Sequence, residues 1–438
     1  MLLDWWEVLI MMFATLGLLM ASGMPIAFAF GVLNVVLLYF LVGGVGALQA
    51  IALSSFSSVG NFSFIALPLF VFMGELVLHS GLATLAIDAI GKWLGRIPGR
   101  LAVMAVLAGT AFAAGSGSSM ASAATLGTIL IPEMRKNGYD KGLTVGTLAT
   151  SGALAILIPP SALMVIFGGI SQLSVGDLLI GGILPGLLLA SLLFGYIVVI
   201  SIMRPHLAPS AVLEDVSWAE RLQALKNFAP LVALVMIVLG SIFVGVATPS
   251  ESAAMGAGGA FLLAAAYHRL SIEGIRNSLF GTVEVSGFAL LIVTSATAFS
   301  QILAHSGAAA GLTLFATALP VPTWVIIGVM QAVILVMGCF MEPVSIMLIT
   351  VPIFFPIIQA LGLDPLWFAI VTMVNIELSM ITPPFGLNLF ILKGVCPPDT
   401  TLEDIYRGVI PFILLNLLAL GLVIWFPPLA TWLPNLMH

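Results

Sequence analysis

Charge is scarce in this chain. Aspartate, glutamate, lysine and arginine make up 7% of its 438 residues, against 61% hydrophobic residues. A soluble core of this length needs a charged shell several times richer, which excludes a water-soluble globular fold. Cysteine is nearly absent as well. Cys339 and Cys396 sit in or beside apolar segments, so neither a disulfide framework nor a thiolate metal cluster is expected. No basic stretch precedes the first apolar run in MLLDWWE, so that run reads as a span and not as a cleaved signal. The net charge of -6 is too small to define a partner, and nucleic acid is not expected to be one.

What the chain does have is apolar length. Long runs fall at about 5–22, 24–42, 62–79, 99–134, 142–170 and 178–203. A second set follows at about 228–247, 250–267, 283–304, 322–358, 365–394 and 408–433. Runs of roughly 18 residues or more are transmembrane candidates, so the fold class is an all-α, polytopic membrane protein. Between the sets lies RPHLAPSAVLEDVSWAERLQALK, residues 204–226, expected to be a cytoplasmic linker with a short amphipathic helix outside the bilayer.

The two sets are copies of each other. Shifting the chain by 224 residues places Pro25, Pro98, Pro132, Pro159 and Pro160 on Pro249, Pro322, Pro356, Pro383 and Pro384. The same shift places Gly138 and Asp140 on Gly362 and Asp364, and a shift of 226 places His79 on His305. Self-similarity of this kind implies two homologous halves, 1–203 and 227–438, joined by the linker. Basic residues give their orientation. Lys92, Arg96, Arg100, Arg135, Lys136 and Lys141 flank the run at 99–134, while its partner at 322–358 has no basic flank. Because cytoplasmic loops collect lysine and arginine, the halves are expected to be inverted repeats. Five crossings and one hairpin per half would leave both termini periplasmic.

The runs at about 99–134 and 322–358 are too long for one span and too short for two with a turn. Each is expected to be a re-entrant hairpin of two half-length helices. The first would turn at the small, polar AAGSGSSMASAAT, the second at MGCFMEPVS. After each comes a doubled proline, in ILIPPS and MITPPFG, inside the runs at 142–170 and 365–394. Proline removes a backbone donor and breaks the helix, so each of these crossings is expected to be discontinuous. Freed carbonyls and helix C-termini near mid-depth attract small cations, and helix N-termini attract carboxylates.

The ordered set GSGSSMASAATLGTILIPEM (115–134), ILIPPS, GCFMEPVSIMLITVPIFFPI (338–357) and MITPPFG resembles the large membrane subunit of tripartite ATP-independent periplasmic transporters. The resemblance covers essentially the whole chain. It implies sodium-driven uptake of an organic acid, such as a C4-dicarboxylate or sialic acid, across the bacterial inner membrane. An elevator movement of a hairpin-containing transport domain against a scaffold would carry the substrate. The implied partners are a separate small four-helix membrane subunit, a periplasmic substrate-binding protein, the lipid bilayer and a carboxylate substrate. The implied cofactor is Na+, at two or more sites. By position, one sodium site would lie between Ser116, Ser118 and Ser119 and the carbonyls at Pro159 and Pro160. A second would lie among Gly338, Glu342, Thr382 and Pro383, with substrate near Ser119, Ser122, Ser161 and Asn388. No lysine or arginine lies in these apolar cores, so an arginine clamp for the carboxylate is not expected.

Glu342 is the intramembrane acid favoured for function, Glu377 is read either as structural support hydrogen-bonded across the second break or as a proton or sodium group, and Glu75 and Glu284 are read as interfacial. Segments at about 82–96 and 271–281 are read as amphipathic arms along the cytoplasmic surface. Three other readings compete. A stand-alone sodium/anion symporter shares the mechanics, whereas an intramembrane enzyme needs clustered Asp, Glu or His, which the chain does not offer. A channel needs a continuous polar stripe or charged ring, and the polar residues here concentrate at two tips and two breaks.

Overall fold

Helix starts are written into the sequence as caps. Ser217 and Glu220, Thr248 and Glu251, and Thr401 and Asp404 each form a reciprocal capping box, the first residue accepting from the N3 amide and the acid accepting from the cap amide. Asp140 and Asp364 cap the helices that contain the doubled-proline breaks, at matching positions in the two halves. The computed structural model describes residues 4–60, 62–95, 97–116, 119–209 and 216–437.

The first half runs through α1 (Trp5–Ala21), α2 (Ile26–Leu37), α3 (Gly44–Val59), α4 (Ala66–His79) and α5 (Leu82–Leu94) to the pair α6 (Arg100–Ser116) and α7 (Ser119–Lys136). Then come α8 (Lys141–Ala153), α9 (Ala162–Ser171), α10 (Val175–Gly181) and α11 (Ile183–Met203). The second half has α12 (Trp218–Phe243), α13 (Pro249–Ala266), α14 (Ile272–His305) and α15 (Ala308–Ala318). These lead to the pair α16 (Thr323–Gly338) and α17 (Pro343–Ala360). The chain ends in α18 (Pro365–Ser379), α19 (Leu387–Val395), α20 (Leu402–Trp425) and α21 (Pro428–Asn435). The described residues are helical with no strand, and several helices are long and apolar enough to cross a membrane. The protein is an all-α, multi-pass membrane protein.

The halves exchange partners. Helix α1 packs on α15 while α12 packs on α5; α2 packs on α14 while α13 packs on α4; α7 packs on α19 while α17 packs on α9. Each pair consists of repeat-related helices with the halves swapped, which is what a pseudo-two-fold axis between two repeats produces. Two layers result. Helices α1–α5 and α12–α15 form one, and the helical pairs with the broken helices, α6–α9 and α16–α19, form the other, with α20 packed on α8 and α18. Small residues permit the closest approaches, the usual device where lipid leaves no hydrophobic drive between helices. A Cβ on Gly408 would lie 2.2 Å from the Cα of Gly142, so α20 and α8 touch backbone to backbone.

Several details differ from the sequence reading. Among the described residues of the linker there is no separate amphipathic helix, because residues 218–226 are the first turns of α12, which continues into its span from the cap at Ser217. The segment 271–281 is likewise no separate arm but the start of α14, whose 34 residues extend about 51 Å, well beyond a hydrocarbon core of about 30 Å. The matching part of the first half is broken by a turn at Phe62–Ile65 and forms α3 and α4, of which α3 is not among the apolar runs. The paired helices are longer than half-spans, with 17 and 18 residues in α6 and α7 and 16 and 18 in α16 and α17. Arg100, Arg135 and Lys136 sit at the ends of the first pair, so helix continues past the apolar run into its charged flank.

Candidate functional site

Four helices begin, and four end, at the two tips and two breaks. α6 ends at Ser116 and α7 begins at Ser119; α16 ends at Gly338 and α17 begins after its cap Glu342. α8 gives way to a tight 3-10 turn at Leu154–Ile156, and α9 starts after Ser161. α18 stops at Ser379 and α19 starts after Gly386. Both doubled prolines, Pro159-Pro160 and Pro383-Pro384, carry a cis bond. The partial positive charge of four N-termini and the partial negative charge of four C-termini are thus collected on one layer.

The two halves meet at this place. Asn388, fully buried at the start of α19, donates from Nδ2 to the Oγ of Ser119 at 2.7 Å and to the carbonyl of Ala149 at 3.4 Å. The second break is therefore tied to the first tip. Ser122 is buried one turn further along α7. Ser118 lies outside the described residues, as does the side chain of Ser116.

The first break is rich in oxygen that nothing in the described protein uses. Pro159 and Pro160 have no N–H, so the carbonyls of Ala155 and Ile156 have no i+4 donor. The hydroxyls of Ser161 and Thr147 and the Oδ1 of Asn388 are buried without a hydrogen-bond partner among the described residues. Thr150 and Ser151 instead return their hydroxyls to the carbonyls of Gly146 and Thr147, at 3.0 and 2.6 Å. A buried polar atom left unsatisfied costs about 1–3 kcal/mol.

The second break closes upon itself. The carbonyls of Ser379 and Met380 accept from the amides of Thr382 (3.2 Å) and Asn388 (3.1 Å). Thr382 Oγ1 donates to the carbonyl of Leu378 at 2.7 Å, Cys339 Sγ approaches the carbonyl of Pro383 at 3.6 Å, and Tyr406 Oη donates to the carbonyl of Pro384. Gly338 seats the second tip on α18: a Cβ there would fall 1.9 Å from Ser379 Oγ, so only glycine fits. Gly386 has φ of +43°, a left-handed conformation that glycine adopts without steric penalty, and it lets the chain turn into α19. Glu342 accepts from Ser345 Oγ at 3.2 Å. Of the residues read from sequence for the second cation site, Thr382 and Pro383 thus already have partners.

Glu377 differs from expectation. It is fully buried and neither carboxyl oxygen has a partner among the described residues, so it does not hydrogen-bond across the break. It lies in the last turn of α18, two residues before the helix ends at Ser379. Sequence reading also missed the buried, unpartnered hydroxyl of Thr147 within α8, and the pair Gln331 and Asn375, where Asn375 Nδ2 donates to Gln331 Oε1 at 2.9 Å. The signal for the first was present: Thr147, Thr150 and Ser151 recur at helical spacing inside an apolar run.

Paired helices, broken helices and exchanged repeats of this kind define a membrane carrier. The comparisons with known proteins give the family. The family model for the tripartite ATP-independent periplasmic transporter, DctM component, matches residues 11–429. The C4-dicarboxylate large permease protein DctM of Rhodobacter capsulatus is 34% identical over 98% of this chain and 99% of its own length. The sialic acid large permease protein SiaM of Vibrio cholerae is 30% identical over 97% of each. A crystal structure of the YdaH transporter of Alcanivorax borkumensis aligns with a TM-score of 0.66 at 14% identity, covering 93% of this chain and 98% of that one. The chain belongs to the large permease family of tripartite ATP-independent periplasmic transporters. It is a transport protein and not an enzyme, and membership implies a small membrane subunit and a periplasmic binding protein as partners.

Proposed function

We propose that this permease takes up an organic carboxylate with sodium across the bacterial inner membrane, both termini being periplasmic, after a periplasmic binding protein delivers the substrate. The observation that carries the reading is the unpartnered buried hydroxyl of Ser161 at the first break, in the stretch where prolines leave carbonyls without donors, together with the unpartnered Oδ1 of Asn388 where the second break meets the first tip. Hard cations favour oxygen ligands, and unwound helices supply them in carriers. Sodium would be held there with Ser119 and the carbonyls at Pro159 and Pro160; a second ion would lie among Gly338, Glu342, Thr382 and Pro383, where Thr382 Oγ1 donates to Leu378 and keeps its lone pairs for a cation. The carboxylate would rest near Ser122, Ser161 and Asn388 against the N-termini of α7, α9, α17 and α19, with sodium offsetting its charge. Relatives named for a C4-dicarboxylate and for sialic acid fit a carboxylate substrate.

The two layers suggest the movement. The layer of α6–α9 and α16–α19 would travel as one body, because α7–α19 and α9–α17 lock the repeats together, while α1–α5 and α12–α15 stay as a frame. The test is uptake into liposomes holding the permease with its small subunit, in the presence of its binding protein. Uptake is expected with an inward sodium gradient and not with potassium in its place. Equal uptake under both conditions contradicts the proposal.

A further inference from the structure

A buried polar seam joins α16 to α18 beside the second tip. Asn375 and Ser379 lie one turn apart on α18 and both face α16: Asn375 Nδ2 donates to the carbonyl and to Oε1 of Gln331, at 2.6 and 2.9 Å, and Ser379 Oγ lies against Gly338. Thr372 precedes Asn375 by three residues and shares that face of the helix. Gln331, Thr372 and Asn375 are each at most 5% exposed.

The bonds fix which way both amides point. A carbonyl oxygen only accepts, so the Asn375 atom that faces the main chain of Gln331 is the nitrogen, and the Gln331 atom that faces this nitrogen is the oxygen. The far ends are thereby defined. Gln331 Nε2 is a donor and Asn375 Oδ1 an acceptor, and neither has a partner among the described residues. Thr372 Oγ1 has none either. Thr282, Thr350 and Thr382 return their hydroxyls to the carbonyl four residues back, whereas Thr372 does not.

One free N–H and two free oxygens define the chemistry of the occupant. A bare cation suits the oxygens but is repelled by the N–H, and an anion meets the opposite difficulty. Water accepts and donates at once, and a buried water typically makes about three hydrogen bonds, the number offered here. Thr372 and Asn375 are about 4.5 Å apart along the helix axis, within the roughly 5.6 Å that one bridging water spans. The repeat supplies a contrast. Under the 224-residue shift Gln331 and Thr372 fall on Leu107 and Leu148, and Asn375 falls on Ser151, whose hydroxyl is taken by the carbonyl of Thr147.

We propose that a single buried water, held by Gln331 Nε2, Asn375 Oδ1 and Thr372 Oγ1, is a built-in part of the α16–α18 seam that carries the second tip. The site is independent of the sodium reading above.

The test is the thermal midpoint of Thr372→Val in the permease complex in lipid nanodiscs, joined to a high-resolution density map of the unaltered complex. Valine keeps the shape of threonine and removes the hydroxyl. Loss of a buried hydroxyl that binds nothing is neutral or stabilising, whereas loss of one that holds water is expected to lower the midpoint by about 1 °C or more in a chain of this length. The same fall is expected with choline in place of sodium. The map is expected to show one peak within about 3.2 Å of all three atoms. A midpoint that holds or rises in Thr372→Val overturns the proposal, as does a map in which Gln331 Nε2 bonds directly to Asn375 Oδ1. A fall seen in sodium alone makes the occupant a cation and overturns it too.

Discussion

At Pro159-Pro160 and at Pro383-Pro384 the same sequence device interrupts a helix, yet the oxygens it frees meet different fates. In the second half, amides of Thr382 and Asn388, the hydroxyl of Tyr406 and the thiol of Cys339 reach the carbonyls of the break. In the first half, Ser161 and Thr147 are buried with hydroxyls that no described group uses. A repeat fixes where a helix breaks; the neighbours that tertiary packing brings decide whether the break is a site or only a kink. At the first break the hydroxyl of Ser161 has no partner among the described residues, whereas the carbonyls of the second break accept protein donors.

Substitutions at the second tip should have the largest effect. Gly338→Ala places a methyl inside the contact with Ser379, and overpacking of this kind costs typically about 1–3 kcal/mol. Transport is expected to fall at least about tenfold, and Ser379→Gly in the same chain to restore much of it. Full activity of Gly338→Ala would mean that the second tip does not depend on this contact.

Next comes the bond that joins the halves. Asn388→Ala leaves Ser119 without its donor in a buried place, a loss of about 1–3 kcal/mol, so uptake is expected to fall roughly tenfold or more. Adding Ser119→Ala should cost little more. Additive losses in uptake by the double variant would show that the two residues act separately.

Glu377 tests how the second half handles polarity, since its counterpart under the shift is Ala153. Replacing an unpartnered buried polar group with an apolar one of similar shape is commonly neutral or stabilising. Glu377→Met is expected to keep or raise the thermal midpoint; a fall of more than about 2 °C, on the order of 2 kcal/mol for a chain of this length, would reveal a partner for the carboxyl.

The smallest effect is expected where the loop after α19 meets the first half. Asp399 pairs with Arg135 at 3.0 Å and Lys141 at 3.1 Å on the exposed surface. The hydrogen bond from Lys141, with the charge of Arg135 adding, holds its carboxyl below the usual carboxylate range. A depressed folded value stabilises above the unfolded value of about 3.9 and loses that contribution as pH falls through the folded value. The midpoint difference between the protein and Asp399→Asn is therefore expected to be small and flat from about pH 8 to 5, to begin falling at about pH 4 and to vanish only below the folded value. A difference that grows on acidification contradicts the pairing.

The parts of the fold that were legible in the sequence were those set by local chemistry. Paired prolines stop helices wherever they occur, and repeated prolines, glycines and caps reveal the two halves. What was not legible depends on partners distant in the chain. The continuity of α12 and α14, the contact of Asn388 with Ser119 and the isolation of Glu377 follow from which helices face each other across the pseudo-two-fold.

The most direct test of the contrast between the two breaks is equilibrium binding of radioactive sodium to the purified permease complex. Ser161→Ala is expected to raise the sodium concentration for half-saturation about tenfold, whereas Thr382→Val, at the break whose carbonyls already accept protein donors, should change it less than about threefold. The reverse order, or binding indifferent to both, would contradict the account.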